Sequence, residues 1–348
     1  MFEDMARGPA GWLSGDGDES MVVLSSRVRL ARNVAGCIYP SAADSATREK
    51  VVGYFESAVE RSDLLSKGNV LRGSDLTPLD RDFLVERHLM SPGFMQDDKS
   101  RALYISADEQ ISIMVNEEDH LRIQVLSPGL NPSSPFEIAG QYDNEIGKHL
   151  EFDYDSDFGF LTACPTNVGT GLRASVLIHL PGLVITKEID RVISKIAKMG
   201  VIVRGFYGEG SDVLGNLFQL SNQNTLGVSE TETLQLIDSV THSIIAEEAH
   251  ARERLMAEAP DHICDKIWRA YGILKHARVL TSEEVMNLLS AVRLGIALNV
   301  IDCVEISVIN DILLLSQPAH LQKYHGKDMT QDQRDVVRAD MVREKLKN

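Results

Sequence analysis

The sequence has few cysteines, and none of them stands close to another. Cys37, Cys164, Cys264 and Cys303 are the four cysteines of the 348-residue chain, and no two of them form a CxxC pair. Zinc ribbons and disulfide frameworks need closely spaced cysteines, so neither is expected. The N-terminus lacks the basic start and apolar run of a signal peptide, and no apolar stretch is long enough to span a bilayer. We therefore expect a cytoplasmic protein that makes no membrane contact.

Positive charge is also scarce. The chain has 35 Lys and Arg against 51 Asp and Glu, which gives a formal net charge of −16. Proteins that bind nucleic acid generally neutralise phosphates with clustered Lys and Arg, so no nucleic-acid partner is expected. With 43% hydrophobic and 25% charged residues, the length predicts a globular protein with a large core and two domains.

The common phosphate-binding signatures are missing. Gly147-Lys148 and Gly326-Lys327 are followed by His and Asp instead of Ser or Thr, so there is no Walker loop. The Asp-Phe-Gly triplet at 157–159 stands without an HRD loop or a VAIK lysine, so a protein-kinase fold is not expected. We interpret the triplet as an acidic turn before a strand. A nucleotide site in this chain must therefore bind phosphate through residues other than these common motifs.

Apolar periodicity predicts a mixed α+β region followed by helices. Strands are expected within 21–34, where a short strand enters a basic loop, and at 102–106, 111–116, 121–127, 159–164, 174–183 and 201–207. Helices are expected at 47–65, 80–90 and 186–199. Capping-box spacings at Ser229 and Thr281 predict long helices, and Pro260 favours a break between them. Thr330 and Gln333 have the same capping-box spacing. We therefore expect a catalytic domain at 20–256 and a helical domain at 257–348.

Five arginines stand in short contexts rich in glycine and hydroxyl groups, and all are expected at strand ends or in loops. They are Arg27, Arg29, Arg122, Arg173 and Arg204. Guanidinium groups bind phosphate oxygens bidentately and stay charged, so several converging on one site suit a triphosphate. Any single one of them is more often part of a surface ion pair.

The motifs that contain these arginines resemble those of the phosphagen kinases, the arginine and creatine kinase family. SSRVRLAR, NEEDHLRI, CPTNVGTGLRASV and RGFYGE occur in that family's order and approximate spacing. The amino-acid sequences of the third motif and of residues 215–227 are similar to those of bacterial members that phosphorylate arginine in proteins. The resemblance extends through essentially the whole chain. It implies an antiparallel sheet flanked by helices, like that of glutamine synthetase, and the use of ATP with Mg²⁺. No dedicated metal motif is visible, so the metal is expected to arrive on the nucleotide.

The resemblance also implies which residues bind ATP. They are Ser25, Ser26, Arg27, Val28, Arg29, His88, Arg122, Arg173, Ala174, Ser175, Val176, Leu177, Arg204, Gly205, Phe206, Tyr207, Gly208 and Glu209. His88 is the weakest of these assignments, because a lone histidine is more often a packed or surface residue.

The acceptor chemistry needs a base, because a protonated guanidinium, with a pKa of roughly 12.5–13.8, has no lone pair for attack. The resemblance assigns Glu118 and Glu209 as the two carboxylates that hold the guanidinium. It favours Glu118 as the base but leaves the choice between the two open, and Glu117 and Asp119 are adjacent alternatives. Only one of Glu117 and Glu118 is expected to face the site, since neighbouring side chains point in opposite directions. Cys164 matches a reactive cysteine whose thiolate lies beside the substrate. By itself, a free cysteine is more often buried and inert.

Two features favour a protein as the substrate. Only 26 residues precede Arg27, whereas classical phosphagen kinases place a small helical domain there. The RDVVRA segment at 334–339 resembles a phosphoarginine-binding motif, which implies an allosteric site at Arg334, Asp335 and Arg338. Arg334 and Arg338 share a helix face, a like-charge arrangement that a bound phosphate would relieve. Without the resemblance, this segment is more typical of an exposed charged helix.

The resemblance thus implies an ATP-dependent kinase that phosphorylates arginine in proteins and marks them for an energy-dependent protease. The implied partners are protein substrates with exposed arginines, an activator protein, a Clp-type unfoldase-protease and further copies of the chain. Two alternatives stay open. One is a kinase for free arginine or another small guanidino compound, and the other is a phosphoarginine-binding adaptor with weak catalysis.

Overall fold

The computed structural model describes residues 1–96, 100–205 and 214–347. The strands are β1 (Val23–Arg32), β2 (Asn69–Arg72), β3 (Ala102–Ile105), β4 (Ile111–Val115), β5 (Leu121–Pro128), β6 (Tyr154–Asp155), β7 (Gly159–Phe160), β8 (Leu172–His179), β9 (Val201–Arg204) and β10 (Leu217–Asn222). The helices are α1 (Phe2–Arg7), α2 (Ser45–Arg61), α3 (Pro78–Glu86), α4 (Ser133–Gly147), α5 (Pro181–Ile185), α6 (Ile189–Ala197), α7 (Glu230–Glu258), α8 (Pro260–His276), α9 (Ser282–Ala297), α10 (Ile306–Leu315), α11 (Pro318–His325) and α12 (Gln331–Lys345).

Eight strands from the described residues form one sheet in the order β2-β3-β4-β5-β1-β8-β10-β9. Every neighbouring pair in this sheet is antiparallel. The long strand β1 lies between β5 and β8 and is paired on both sides. Strands β6 and β7 form a separate hairpin. Asp157 and Phe158 lie in its turn and Gly159 begins β7, so the triplet is a turn before a strand, as predicted. The predicted α+β fold is confirmed.

One face of the sheet is closed by helices. Val28 and Leu30 of β1 point to this face and pack in a cluster with Phe55 of α2, Tyr142 of α4 and Ile237 of α7. Burial of apolar surface, at about 25 cal/mol per Å², makes this cluster the main stabilising layer. A ligand site is therefore restricted to the opposite face.

The opposite face is apolar at one end and polar at the other. Leu126, Leu177 and Leu217 lie at the apolar end and pack with α8, α9 and α10 through residues such as Ile267 and Leu289. The C-terminal helices therefore cover one end of this face, and they leave the other end open.

Helix ends follow the capping chemistry that the sequence predicts. Ser229 and Thr330 each form a complete capping box with the residue three positions later. At Thr281 the hydroxyl accepts a hydrogen bond from the backbone N–H of Glu284, which is half of the predicted box. Helix α3 ends at Glu86, earlier than predicted, because His88 adopts a left-handed φ of 60° that a helix cannot include.

Two predictions about strands are wrong. Of the strand expected at 159–164, only Gly159–Phe160 forms, because the backbone N–H of Ala163 donates to a side chain, the Asp119 carboxylate, instead of a neighbouring strand. Arg27 and Arg29 were expected at a strand end, but they lie in the interior of β1, which is ten residues long.

Candidate active site

The open end of the polar face forms a cavity of about 610 Å³. All five arginines that the sequence singles out line it: Arg27, Arg29, Arg122, Arg173 and Arg204. The same cavity is lined by Glu117, Glu118 and Cys164. The structure therefore brings the predicted phosphate-binding groups and two of the three predicted acceptor-side groups, Glu118 and Cys164, into one space. The third, Glu209, lies outside the described residues.

Strand register explains why the arginines converge. Arg29 of β1 pairs directly with Arg173 of β8, and directly opposed residues on antiparallel strands point to the same face. Arg122 of β5 lies opposite Ala31, two positions along β1 from Arg29 and so on the same face. Arg204 reaches this face from β9, where it pairs with Gln219 of β10. Alternation along four strands thus places every arginine in the cavity.

Burial and the charges of neighbouring arginines lower the pKa of two members of this cluster, Arg27 and Arg29. Loss of hydration, followed by repulsion from Arg122, Arg173 and Arg204, lowers the pKa of Arg27 to about 10. Loss of hydration and the charges of Arg27, Arg122 and Arg173 lower the pKa of Arg29 well below its ordinary value, against the attraction of Glu117. Arg27 still carries its charge at neutral pH. The cavity is therefore a region of concentrated positive charge in an acidic protein.

A polyanion fits this arrangement. The Nε–H of Arg29 is buried and donates no hydrogen bond among the described residues. A buried donor without a partner is costly, and phosphate oxygens are the acceptors that guanidinium groups bind best. The donor set therefore matches the triphosphate of a nucleotide.

The acidic turn Asn116 to His120 joins β4 to β5, and it is not a solvated turn. Asn116, Asp119 and His120 are buried, and Glu118 is the one exposed residue of the turn. The side chain of Glu118 is 44% exposed, and its Oε2 lies 3.4 Å from Nη2 of Arg122. Glu118 is therefore the carboxylate of this turn that an incoming guanidinium can reach most easily.

Glu117 also lines the cavity, so the expectation that only one of the two glutamates would face it is wrong. The physical reason is Arg122, which attracts both carboxylates. Its Nη1 lies 2.5 Å from Oε2 of Glu117, whose other oxygen accepts a hydrogen bond from the Ser91 hydroxyl. Glu117 is thus held by two partners, whereas Glu118 has the single weak contact with Arg122.

Cys164 lies in the loop after β7. Its side chain is half-buried, and its Sγ is 3.0 Å from the Thr166 hydroxyl, which also lines the cavity. The Thr162 hydroxyl donates to the carbonyl of Cys164 at 2.7 Å. These contacts hold the thiol in the cavity that contains Glu118.

His88 lines the cavity beside Arg27. It is 9% exposed, and its ring packs against Trp12 at a centroid distance of 4.8 Å. Burial, followed by the charge of Arg27, lowers the pKa of His88 to about 3, so the ring is neutral. Its carbonyl accepts a hydrogen bond from Nε2 of Gln124 at 2.6 Å. A neutral, packed ring suits contact with a flat, uncharged part of a ligand.

Several predicted ATP contacts point away from the cavity. Val28, Ala174 and Val176 belong to the closed core on the other face, and the Ser26 hydroxyl donates to the Gly129 carbonyl there. Strand alternation requires this, because each is next to a residue that faces the cavity. Their backbone is paired within the sheet. Their side chains therefore do not line the cavity, and contact of their backbone with ATP stays a prediction.

The remaining predicted contacts divide into three groups. Ser25, Ser175 and Leu177 line a small recess beside the cavity, together with Arg27 and His88. Gly205 follows β9 directly. Phe206, Tyr207, Gly208 and Glu209 lie outside the described residues.

Sequence reasoning missed several residues that line the cavity. Gln124 and Gln219 are both there, and Ser91, Asn167 and Gln223 contribute at other edges. Gln124 follows Arg122 by two positions on the same strand, so alternation alone would have found it. No comparable signal marks Ser91, because it comes from a loop of another part of the chain.

The predicted phosphoarginine-binding residues lie on α12, far along the chain from this cavity. Arg338 is 1% exposed and donates to the carbonyls of Ser316 and Leu280, and it forms an ion pair with Asp335. Arg334 is half-buried and donates to the Met329 carbonyl at 2.8 Å. All three residues therefore contact the protein itself. Asp335 and Arg338 are buried, and Arg334 is the most accessible of them.

Metal and membrane sites are not evident in the described parts of the chain. No group of three or more His, Cys, Asp or Glu side chains there is arranged to hold a metal ion. Among the described helices, none combines the length and apolar character needed to cross a bilayer.

Comparison with known proteins identifies the class that this fold and cavity define. Residues 50–251 match the C-terminal catalytic domain of the ATP:guanido phosphotransferases, and residues 260–348 match the C-terminal domain of the protein-arginine kinase McsB. The chain belongs to the ATP:guanido phosphotransferase family.

Within that family, the chain is similar over nearly its whole length to proteins named protein-arginine kinase. It is 44% identical to the one from Geobacillus sp. (strain WCH70) over 340 residues, which cover 97% of this chain and 94% of that protein. It is 44% identical to the one from Symbiobacterium thermophilum over 347 residues, which cover 99% and 98%. Among solved structures, the duplicated taurocyamine kinase from Schistosoma mansoni with bound transition-state-analogue components aligns with a TM-score of 0.62 and 26% identity, over 72% of this chain and 36% of that longer one.

Proposed function

We propose that the chain transfers the γ-phosphoryl group of ATP to arginine side chains of proteins. The observation that carries this proposal is a single cavity in which an arginine cluster, a reachable carboxylate at Glu118 and a thiol at Cys164 lie together. The similarity to proteins named protein-arginine kinase over nearly the whole chain supports a protein as the acceptor.

The cavity's residues divide between donor and acceptor. The arginines of β1, β5, β8 and β9 hold the phosphates and stabilise the charge that develops on the transferring group. Glu118 orients the acceptor guanidinium and takes a proton from it, which frees a nitrogen lone pair. That nitrogen forms a bond to the γ-phosphorus while the bond to the β–γ bridging oxygen breaks, so ADP leaves with the electron pair. Cys164 lies where a thiolate would orient the guanidinium, and no phosphocysteine is formed.

Mg²⁺ is proposed to arrive with the nucleotide. The described residues supply no metal cluster of their own, and a Mg²⁺ bound to phosphate oxygens needs few protein ligands. When bound, the ion would neutralise phosphate charge. This chain's own contribution is the arginine cluster.

We also propose the finer assignments that the family resemblance implies. These are a catalytic domain at 20–256, a helical domain at 257–348, and a phosphoarginine-binding site around Arg334. Marking of proteins for a Clp-type unfoldase-protease, an activator protein, assembly into a homo-oligomer and a cytoplasmic location belong to the same proposal. The break between α7 and α8 at Ala259 supports the domain division.

Two other functions are separable by experiment. The purified chain with ATP, Mg²⁺ and an unfolded protein should yield phosphoarginine, detected by mass spectrometry at neutral pH. Turnover on free arginine alone would favour a kinase for a small guanidino compound. No turnover together with tight binding of a phosphoarginine peptide would favour an adaptor. Formation of phosphoserine only would refute all three.

A further inference from the structure

Asp119 is an aspartate in the acidic turn, yet it is only 3% exposed. Its Oδ1 accepts a hydrogen bond from Nδ2 of Asn33 at 2.7 Å and another from the backbone N–H of Ala163 at 2.6 Å. Hydrogen bonds to a carboxylate are about twice as strong as those between neutral groups. A buried carboxylate that accepts two such bonds fixes the positions of the chain segments that it joins.

Each of the two backbone segments that meet at Asp119 carries one of the acceptor-side groups. Glu118 precedes Asp119 in the chain, and Cys164 follows Ala163. One oxygen atom of Asp119 therefore connects the turn that carries the carboxylate to the loop that carries the thiol. The strand that leads into the loop ends at Phe160, so this contact holds the part of the loop before Cys164. The part after Cys164 is held by the Thr225 hydroxyl, which donates to the Thr166 and Val168 carbonyls.

Asn33 connects the same two segments to the central strand. It follows Arg32, the last residue of β1, and is 1% exposed. Its Oδ1 accepts from the backbone N–H of His120 at 2.8 Å, while its Nδ2 also donates to the Leu161 carbonyl at 3.1 Å. The strand that carries Arg27 and Arg29 is thus joined through one amide to both acceptor-side segments.

We propose that Asp119 and Asn33 are positioning residues that hold Glu118 and Cys164 at a fixed separation from each other and from the arginine cluster. This inference rests on the proposed function, because it assumes that Glu118 and Cys164 act on the acceptor. Neither Asp119 nor Asn33 lines the cavity, so both act through their neighbours. A residue with a purely structural role would instead affect nucleotide binding, acceptor chemistry and stability together.

The test compares Asp119→Ala with Asp119→Asn. Loss of the carboxylate releases the Cys164 loop but leaves the arginines in their strands, so nucleotide affinity should stay within about twofold. Transfer to protein arginine should fall by about 10²-fold, the loss associated with a misplacement of about 1 Å. Asp119→Asn keeps an acceptor at the same place and should recover a large part of the rate.

A second readout reports on the loop directly. Alkylation of Cys164 by iodoacetamide, followed peptide by peptide in the full chain, should be faster in Asp119→Ala than in the wild type. Cys303 is exposed and serves as the internal control, with an unchanged alkylation rate. If Asp119→Ala does not fold, Asn33→Ala carries the same two expectations.

The outcomes separate this inference from the function on which it rests. A wild-type chain that forms no phosphoarginine on protein refutes the function. An active wild type whose variants lose nucleotide affinity in parallel with turnover, or leave Cys164 alkylation unchanged, overturns the positioning role alone.

Discussion

Arg29 and Arg173 lie directly opposite each other on β1 and β8. Both side chains line the cavity, and their mutual repulsion contributes to the lowered pKa of Arg29. Like charges in directly opposed cross-strand positions destabilise a sheet, on the scale of about 0.2–1 kcal/mol. The nucleotide-free protein therefore contains a repulsion that a bound triphosphate relieves.

The first prediction follows for Arg29→Gln. Without nucleotide, the free energy of unfolding should rise by up to about 1 kcal/mol, since one repulsive partner is gone. The rate of transfer should fall by about 10³–10⁵-fold if the lost group acts on the transition state as an arginine finger does. Urea unfolding and steady-state kinetics measure the two effects. Arg61→Gln, on an exposed position of α2, should change neither, and a destabilised Arg29→Gln protein would contradict the argument.

The second prediction concerns Glu118→Gln. Removal of a general base typically costs about 10²–10⁴-fold in rate. The side chain is 44% exposed, so the thermal midpoint and nucleotide affinity should stay close to those of the wild type. Glu60→Gln, at an exposed position of α2, is the matched control. Wild-type turnover in Glu118→Gln would instead direct attention to Glu117 or Glu209 as the base.

The third prediction separates two arginines of α12. Arg338→Ala removes one partner of a buried ion pair and two bonds to backbone carbonyls, so it should cost about 3–5 kcal/mol of stability. Arg334→Ala removes one bond from a half-buried side chain and should cost about 1 kcal/mol. Arg334→Ala should spare basal turnover and reduce activation by phosphoarginine peptides. Equal activation of this variant and the wild type would count against the proposed allosteric site.

The fourth prediction concerns Glu86, whose carboxylate accepts from the backbone N–H groups of Ala319 and His320 at the start of α11. Burial raises the pKa of Glu86 to about 7, against the opposing effect of these two bonds and of the Arg338 and Arg334 charges. The folded protein therefore holds this proton more tightly than the unfolded chain does. The resulting stability is fully present below about pH 4.3, the unfolded value, and is lost as the pH rises through 7.

Glu86→Gln isolates this effect, because glutamine resembles the protonated acid at every pH. The stability of the variant relative to the wild type should increase by up to about 3 kcal/mol between pH 5 and pH 8. Burial keeps the pKa of His320 well below its ordinary value, so that ring stays neutral in this window. Urea unfolding at each pH measures the difference, and parallel curves for the two proteins would rule the effect out.

Local chemistry made much of the fold predictable. The capping boxes at Ser229 and Thr330 depend on residues three positions apart, and the strands of the large sheet have clear apolar patterns. The loop around Cys164 was predicted as a strand because its apolar residues resemble one. Its backbone instead bonds to Asp119, a residue distant in sequence, and no local pattern carries that information.

The site was predictable as a set of residues but not as an arrangement. The motifs identified the five arginines, Glu118 and Cys164. Because the motifs are continuous stretches of sequence, the predicted set also included Val28 and Ala174, whose side chains point into the core. Only the register between β1 and its neighbours decides which residues of a motif share a face.

The central place of β1 also affects how the chain must fold during synthesis. Arg27 and Ser175, which contact each other across β1 and β8, are 148 positions apart in the sequence. At ordinary translation speeds, β8 is synthesised on the order of ten seconds after β1. Charged side chains at alternate positions discourage an unpaired strand from joining other chains. We therefore expect Arg27 and Arg29 to reduce aggregation of the nascent chain, before the nucleotide site has formed.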